Sequence, residues 1–301
     1  AGNMSLGMLI IDESGQAVPQ SALGAIYRTR RAVVVGDPLQ VEPVVTIPKV
    51  LIDILADSTC VANAYKVIEN SVQTFSDNIN EFNGMIGERQ VGCPLVVHRR
   101  CIEPMFSISN LISYDNRMFN KTNKKEEYLK PENLFLIKKS GWINVEGEEN
   151  GGKDHFVKNQ AERVCQLMED AVHIYSDLFE TGDKIFIITP FRTVAESMRK
   201  FIISYFSVKG YDKQILSKWT KNCVGTVHTF QGKDANEVLL VLGCSNKSAG
   251  AMNWVVKKAN ILNVACTRAK YRIAFIGNIN DWKNRRYFRE FIPSFIDIIN
   301  V

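Results

Sequence analysis

The sequence has 301 residues, 46% of them hydrophobic, with 37 Lys and Arg side chains against 32 Asp and Glu for a net charge of +5. This length and apolar content exclude a mainly disordered chain and suffice for one large or two ordinary globular domains. The seven cysteines form no Cys-x-x-Cys pair, and no apolar run reaches the ~18 residues of a membrane helix, so we expect no disulfide framework, zinc site or membrane contact, and a cytoplasmic location.

The predicted elements alternate between strands and helices. Runs that are apolar at every position predict strands buried on both faces of a parallel sheet, at 8–11, 32–35, 185–188, 238–242 and 273–276. Apolar stripes with a period of about 3.6 residues predict helices over 164–172, 194–205 and 288–299. The alternation predicts an α/β fold with a domain junction near 88–98. Two polar stretches, 120–133 and 146–155, are predicted to be exposed loops.

The first strand ends on two adjacent carboxylates in the stretch LIIDESGQA. Residues that directly follow a strand of an open α/β sheet lie at the carboxyl edge of that sheet, where ligands bind. There Asp12 could hold Mg²⁺ while Glu13 orients or deprotonates an attacking water, as in phosphoryl-transfer sites. Taken alone, however, such a pair is more often a solvated turn.

The second strand ends in a similar way, in the stretch AVVVGDPLQ. Gly36 permits a tight turn after the strand, and Pro38 stiffens it behind Asp37. The side-chain amide of Gln40 can donate to a phosphate oxygen and accept from a water at the same time. Two strands with such polar ends favour a ligand site over two unrelated turns.

Four further segments follow in order: PLVVHRRC (94–101), IFIITPFRTVAESMRKF (185–201), VGTVHTFQGKDANEVLLVL (224–242) and NILNVACTRAKYRIAFIG (260–277). Together with DESGQA and GDPLQ, they resemble motifs II, III, IV, an intermediate segment, V and VI of superfamily 1 helicases, most closely the 5′-to-3′ branch. The resemblance spans roughly residues 8–277. It implies a P-loop NTPase fold of the RecA-like type, with a parallel sheet flanked by helices. Residues 1–90 would be the remnant of a first RecA-like domain, and 91–301 the second.

The resemblance also implies an ATP and Mg²⁺ site. Asp12 would hold Mg²⁺, Glu13 would position the attacking water, and Gln40 would sense the γ-phosphate. Arg268 would be the arginine finger that reaches across from the second domain, and Arg100 a second γ-phosphate contact, with Arg99 as the alternative if the alignment shifts by one residue. The remaining nucleotide-binding candidates are Asp37, Gly232 and Asp234, the last standing where the family has Glu.

The same resemblance implies contacts with a single nucleic-acid strand, with DNA favoured over RNA. The residues implied are Thr189, Arg192, Thr226 and His228. Thr189 could instead begin the helix that follows it, His228 could be a hydrogen-bonded residue of the fold, and Arg192 could belong to a solvated helix face. Trp219, Trp254 and Trp282 could stack on bases, although packing is the commoner role. Basic residues outnumber acidic ones by seven to two between Arg192 and Lys221, which suits phosphate binding.

No G-x-x-x-x-G-K-[ST] phosphate loop occurs in the sequence. In the family this loop precedes the DEAGQ strand, so we expect the chain to be the C-terminal motor portion of a longer ATP-dependent helicase. We further expect that this portion alone does not hydrolyse ATP. The strands around Ile10 and Val34 would keep an unpaired edge or an uncovered face, through which the chain could self-associate.

Two functions other than a helicase are compatible with some of these residues. A catalytically silent RecA-like module that binds only nucleic acid or protein agrees with the missing phosphate loop, but such a module has no need of Asp12, Glu13, Gln40 and Arg268 together. A metal-dependent nuclease that uses Asp12 and Glu13 would need a further carboxylate and a lysine. Glu42 has no suitable lysine beside it, so this function ranks last.

Overall fold

The computed structural model describes residues 6–62, 65–66, 70–86, 89–122, 135–151, 154–230 and 232–299. The chain divides into two compact units, Ala1–Leu95 and Val96–Val301, called unit 1 and unit 2 below. Most of the predicted loop at 120–133 lies outside the described residues. None of the described helices is long and apolar enough to cross a membrane.

Unit 1 is built from a parallel strand pair, three helices and an antiparallel hairpin. Its described elements are, in chain order, β1 (Leu6–Ile11), α1 (Pro19–Tyr27), β2 (Thr29–Val34), α2 (Lys49–Ser58), α3 (Val72–Ile79), β3 (Gly84–Ile86) and β4 (Arg89–Val91). Strands β1 and β2 pair in parallel, and β3 and β4 pair antiparallel. Local sequence sets two helix starts: Pro19 occupies the first turn of α1, and the Ser71 hydroxyl accepts the Thr74 N–H at 3.1 Å to cap α3.

The first two strands form where the sequence predicts them, but the predicted burial on both faces is wrong. Leu6, Met8 and Ile10 of β1 are 50%, 57% and 68% exposed, and Val33 of β2 is 45% exposed. Burial of both faces requires layers of chain on each side of a sheet, and continuous apolar sequence cannot supply those layers by itself. The uncovered apolar face expected around Ile10 is therefore present among the described residues of unit 1.

Unit 2 alternates strands and helices along its length. Its described elements are, in chain order, β5 (Val97–His98), α4 (Met105–Ser113), β6 (Phe119–Asn120), β7 (Gly141–Asn144), α5 (Lys158–Ile174), β8 (Ile185–Thr189), α6 (Arg192–Val208), α7 (Lys213–Cys223), β9 (Val224–Thr226), β10 (Ala235–Val241), α8 (Ala249–Val255), α9 (Asn260–Arg268), β11 (Ala269–Gly277), α10 (Ile279–Trp282), α11 (Phe288–Phe295) and β12 (Asp297–Ile299).

Six of these strands form one parallel sheet in the order β12-β7-β11-β10-β8-β9. The strands predicted at 185–188, 238–242 and 273–276 are confirmed as its central members, and almost all of their side chains are buried. The strand end predicted in the stretch that begins at residue 224 is confirmed as β9. Strands β7 and β12 were not predicted, because runs of three or four residues are too short for a periodic signal. A parallel sheet with helical connections is the predicted α/β architecture.

Helices pack on the sheet through their apolar stripes. The predicted helices at 164–172 and 194–205 are confirmed within α5 and α6. The stripe at 288–299 is helical only as far as Phe295, because Asp297–Ile299 pairs with β7 and extends the sheet. Beneath it, Phe288 and Phe291 pack against Phe275 of β11, with ring centroids 6.3 and 5.4 Å apart. All three rings are fully buried, so they anchor the C-terminal helix to the sheet.

Candidate nucleotide and nucleic-acid sites

The two predicted catalytic carboxylates of unit 1 lie on the surface just past the end of β1. Asp12 and Glu13 are both exposed, and the Glu13 N–H donates to Oδ1 of Asp12 at 2.8 Å. Glu13 has a φ of +53°, which is uncommon for a residue with a side chain, and the Gln16 amide donates to its Oε2 at 3.0 Å. This backbone conformation costs of the order of 1–3 kcal/mol and is typical of functional loops. It fixes both carboxylates at the carboxyl edge of the β1–β2 sheet.

The loops after β1 and β2 touch each other, and two glycines make this contact possible. A Cβ atom added to Gly36 would lie 2.5 Å from the Ser14 Oγ, and one added to Gly15 would lie 2.8 Å from the Asp37 carbonyl oxygen. Within the loop after β2, the Gln40 amide donates to Oδ2 of Asp37 at 2.9 Å. The structure therefore brings together the four predicted residues of unit 1, on two adjoining loops that follow paired strands.

A buried polar network supports these loops from below. Ser14 is fully buried, and its hydroxyl lies 2.9 Å from the Val35 carbonyl oxygen and 2.6 Å from Oε1 of Gln73. Gln73 in turn donates to Asp77 at 2.8 Å. Arg89, which the sequence did not identify as part of this site, lies near the same carboxylates. Burial lowers the pKa of its guanidinium, whereas the nearby negative charges of Asp77 and Asp37 raise it.

The donor set after β1 fits Mg²⁺ chemically. Magnesium takes hard oxygen ligands, keeps several of its waters, and is commonly held by one or two carboxylates together with substrate phosphates. Asp12 supplies such an exposed carboxylate, and Glu13 lies next to it with its own side chain oriented by Gln16. Asp12 would therefore hold the ion, while Glu13 remains available to act on water.

The nucleotide candidates of unit 2 lie at the amino edge of the six-stranded sheet. Gly232 and Asp234 come directly before β10, and Arg268 comes directly before its parallel neighbour β11. Asp234 forms an ion pair with Lys270, with 2.7 Å between Oδ1 and Nζ. Gly232 has a φ of +74°, a conformation that glycine adopts readily. The fold thus collects residues from two distant motifs at one edge.

Arg268 does not extend into solvent as an arginine finger does when it binds phosphate. Its side chain is 0% exposed, and Nη1 donates to the carbonyl oxygens of Phe230 at 3.3 Å and Lys233 at 3.1 Å. The carbonyl partners lie on the loop that precedes β10, so the guanidinium ties that loop to the end of α9. In this conformation of unit 2 the phosphate contact that the resemblance implies would require the Arg268 guanidinium to leave these carbonyls.

Arg99 and Arg100 lie near the same edge. The Ile102 N–H donates to the Lys270 carbonyl oxygen at 3.3 Å, which places the segment that follows both arginines beside the start of β11. Arg99 is exposed and Arg100 is half-buried. Burial and the positive charge of Arg100 lower the pKa of His98 to about 4, so His98 is neutral at pH 7 and accepts the Cys101 N–H at 2.9 Å. Both arginines thus precede a segment that is bonded to the start of β11, and the choice between them stays open.

The four nucleic-acid candidates lie at the opposite, carboxyl edge of the sheet. Thr189 ends β8 and Thr226 ends the adjacent β9, with Arg192 and His228 just beyond them. Thr189 is only 1% exposed, and its hydroxyl accepts the Phe191 N–H at 3.4 Å, so the structure favours its alternative role in starting α6. Arg192 is the reverse case, with 89% of its side chain exposed beside Glu196. The structure thus places Thr226, Arg192 and His228, but not the Thr189 side chain, at the surface.

A second feature of this edge was missed, because the stretch 146–155 was predicted to be an exposed loop. The side chain of Glu149 is 6% exposed and accepts from the Ser245 N–H at 2.7 Å, the Ser248 hydroxyl at 2.9 Å and Nδ1 of His155 at 3.1 Å. Burial alone would raise the pKa of Glu149, but these hydrogen bonds outweigh it and lower the pKa below its ordinary value. Only the contacts reveal this, since the local composition is that of a solvated loop.

Glu149, His155 and Cys244 also bring three potential metal-ligand atoms within 4.8 Å of one another. Both oxygens of Glu149 already accept hydrogen bonds from backbone and hydroxyl donors. Burial raises the pKa of the Cys244 thiol to about 12, so at neutral pH the sulfur keeps its proton. The cluster is therefore better described as a polar network that fixes the loops at the carboxyl edge.

Taken together, unit 2 has a RecA-like architecture, a parallel sheet flanked by helices, with the candidate nucleotide residues at one edge and the candidate nucleic-acid residues at the other. A family model described as "AAA domain" matches residues 81–280, and a second with the same description matches 3–47. The mouse protein named "Probable helicase senataxin" is 23% identical over 299 residues, which cover 97% of this chain and 10% of that protein.

The bovine "DNA replication ATP-dependent helicase/nuclease DNA2" is 25% identical over 89% of this chain and 24% of its own length. The solved structure of PRRSV helicase aligns with a TM-score of 0.40 at 12% identity, over 96% of this chain and 37% of that one. The chain belongs to the AAA-domain family of superfamily 1 helicases. It spans between a tenth and a quarter of the two named relatives.

Proposed function

We propose that this chain is the C-terminal motor portion of an ATP-dependent helicase that moves along single-stranded nucleic acid. We further propose that it prefers DNA to RNA and that it acts in the cytoplasm. The observation that carries the proposal is the sorting of candidate residues within unit 2. Phosphate-binding types gather at the amino edge of its sheet around Arg268, and exposed basic and hydrogen-bonding residues at the carboxyl edge around Arg192. The preference for DNA is supported by the name of the DNA2 relative.

In the whole protein, ATP and Mg²⁺ would be the cofactors. Asp12 would hold the metal, Glu13 would orient or deprotonate the attacking water, and Gln40 would respond to the γ-phosphate. The exposed position of both carboxylates and the bond between Gln40 and Asp37 support these roles. In unit 2, Arg268 with Arg100 or Arg99 would stabilise charge on the transferred phosphoryl group, and Gly232 and Asp234 would contact the nucleotide.

Nucleic acid would bind at the carboxyl edge of the unit 2 sheet. Arg192 lies in the first turn of α6 with 89% of its side chain exposed, and it pairs with Glu196 at 2.9 Å. Its exposed guanidinium would attract a phosphate backbone, which gives sequence-independent affinity. Thr226 and His228 would add hydrogen bonds to the same strand.

The test is ATP hydrolysis by the full-length protein with and without a single-stranded 20-mer of DNA or of RNA. We expect strand-stimulated, Mg²⁺-dependent turnover, and a kcat lower by about 10²- to 10⁴-fold in Glu13→Gln, because the variant loses its general base. Glu81→Gln, which changes an exposed glutamate of the same unit, should be unaffected. Equal turnover of Glu13→Gln and wild type would refute the role of Glu13.

The second candidate, a silent binding module, is favoured by the buried position of Arg268, which donates to the carbonyl oxygens of Phe230 and Lys233. It predicts that the full-length protein binds single strands but hydrolyses no ATP even when they are present. For the 301-residue chain itself we propose no meaningful hydrolysis under either function. We also propose that this chain self-associates through the exposed apolar face of β1, which sedimentation over a range of concentrations would detect.

A further inference from the structure

Trp254 is unusual among the four tryptophans because its side chain lies on the surface. It is 52% exposed, whereas Trp142, Trp219 and Trp282 are 0%, 3% and 0% exposed. A large aromatic ring left in water forfeits the free energy that its burial would supply, about 25 cal/mol per Å² of apolar surface. Packing, the commoner role for a tryptophan, therefore accounts for Trp219 and Trp282 but not for Trp254.

The indole ring is placed at the carboxyl edge of the unit 2 sheet. It packs on Phe191, with 5.8 Å between ring centroids and 37° between the planes, and the Phe191 ring also lies 4.8 Å from that of His155. Phe191 is two residues beyond the end of β8 and directly precedes Arg192 at the start of α6. The exposed indole therefore adjoins the residues that carry the candidate strand-binding surface.

The helix that carries Trp254 is held in place before any ligand arrives. Glu149 accepts from the Ser245 N–H and the Ser248 hydroxyl, which fixes the turn that leads into α8. On α8 itself, Oδ1 of Asn253 accepts from Nη1 of Arg285 at 2.5 Å. A ring on a braced helix loses little conformational entropy on binding, which is the advantage of preorganisation.

Exposed cations lie on the chain segments that carry the ring and its partner Phe191. Arg192 has 89% of its side chain exposed, and Lys257 and Lys258 follow α8 as exposed residues. An exposed aromatic ring among cations is the arrangement with which proteins bind single strands: the cations attract phosphates, and the ring stacks on a base. Charge complementarity thus selects a single-stranded nucleic acid as the partner of this patch.

We propose that Trp254 is a base-stacking residue, and that one unpaired base of the bound strand lies on its exposed face while Arg192 contacts the adjoining backbone. The proposal rests on the proposed function and deepens it, because it names the residue that contacts a base. Stacking tolerates every base, since each has a π face, so the contact adds affinity without sequence preference.

The test measures binding of the 301-residue chain to a fluorescent single-stranded DNA 20-mer and to an abasic 20-mer with the same backbone. Trp254→Ala should bind the normal strand about 5- to 150-fold more weakly, the range for loss of one stacked base. The dependence of its affinity on salt should keep the wild-type slope, because no phosphate contact is removed. On the abasic strand, wild type and Trp254→Ala should bind equally, and Trp254→Phe should recover part of the loss on the normal strand.

A matched control is Val208→Ala, which changes another exposed apolar residue, 88% exposed, at the far end of α6. That helix has 17 residues, so its two ends lie about 24 Å apart at 1.5 Å per residue. Indole fluorescence gives a second readout, because the other tryptophans are buried: strand binding should quench wild type and leave Trp254→Ala unchanged.

The outcomes separate this proposal from the proposed function. Strand binding that is unchanged in Trp254→Ala refutes stacking while leaving the helicase function intact. A Trp254→Ala defect of equal size on the abasic strand also refutes stacking, since it shows that the ring contacts something other than a base. A wild-type chain that binds neither strand contradicts both proposals.

Discussion

Glu237 allows a quantitative test of how unit 2 is held together. This residue lies on the central strand β10, is 0% exposed, and accepts hydrogen bonds from the Leu136 N–H at 2.9 Å, the Ile137 N–H at 2.6 Å and the Tyr175 hydroxyl at 2.6 Å. Burial raises its pKa from the ordinary 4.5 to about 7, despite these hydrogen bonds and the positive charge of Arg272. The side chain therefore titrates near neutral pH inside the domain.

The sign and size of the effect on stability follow from that pKa. A carboxyl group whose folded-state pKa is raised stabilises the fold fully below its unfolded pKa of 4.5, and this contribution is lost as the pH rises through about 7. At 1.36 kcal/mol per pKa unit, the contribution is about 3 kcal/mol. The contribution of Glu237 to the free energy of unfolding of unit 2 should therefore fall by about this amount between pH 5 and pH 8.

The assay is urea unfolding at several pH values between 5 and 8, followed by tryptophan fluorescence. All four tryptophans lie in unit 2, so the signal reports that unit alone. Glu237→Gln removes the titrating group and places the NH₂ of the glutamine side chain opposite one of the three donors. The variant should therefore be less stable than wild type at pH 5, and the two free energies of unfolding should converge by pH 8. The control Glu180→Gln, at an exposed site, should follow wild type. A difference between wild type and Glu237→Gln that stays constant with pH would refute the reasoning.

Three further predictions test the two sites. Gly36→Ala should destabilise the β1–β2 loops by about 1–3 kcal/mol, because its Cβ would lie 2.5 Å from Ser14 Oγ, whereas Gly24→Ala has open space; calorimetric unfolding compares them. Arg192→Ala should weaken single-strand binding and lower the slope of log affinity against log salt by about 0.7, while Lys138→Ala, which changes an exposed lysine at the amino edge, leaves both unchanged. Glu149→Ala should cost about 1–3 kcal/mol of stability through unpaired donors at pH 7. This difference in stability between wild type and Glu149→Ala should disappear as the pH falls through the lowered pKa of Glu149, which is the opposite trend to Glu237. Urea unfolding at several pH values measures the difference, and one that persists at low pH would contradict the prediction.

The sequence predicts the centre of the unit 2 sheet well and its margins poorly. Strands β8, β10 and β11 each carry a continuous apolar run, and the structure buries them as that run predicts. Strand β12 was merged into a helix, because the apolar residues near 288–299 keep helical spacing even where the chain pairs with β7. In unit 1 the strands formed but were not covered, since burial depends on other layers of chain rather than on the strand itself.

Motif spacing selects the candidate residues, but it does not predict how exposed each of them is. Motif spacing identifies Arg268 and Thr189, yet both are buried by contacts that depend on the fold. Arg268 binds carbonyls 35 and 38 residues away, and Thr189 accepts from the backbone of the turn it begins. The burial of Glu149 could not be predicted either, because its partners Ser245 and Ser248 lie nearly a hundred residues further along the chain.

Arg268 provides a physical reason to expect that the two edges of the unit 2 sheet are coupled. His228 lies at the carboxyl edge and Asp234 at the amino edge, and Arg268 donates to the carbonyls of Phe230 and Lys233, which come between them in the sequence. A guanidinium that turns towards a phosphate must release both carbonyls, and each buried acceptor left unpaired costs about 1–3 kcal/mol. The segment would then rearrange at its His228 end, and by linkage a strand bound there would alter the affinity for phosphate. We therefore expect Arg268→Lys, whose single ammonium cannot reproduce the planar fork, to change single-strand affinity without nucleotide; an affinity equal to wild type in an anisotropy titration would exclude this coupling.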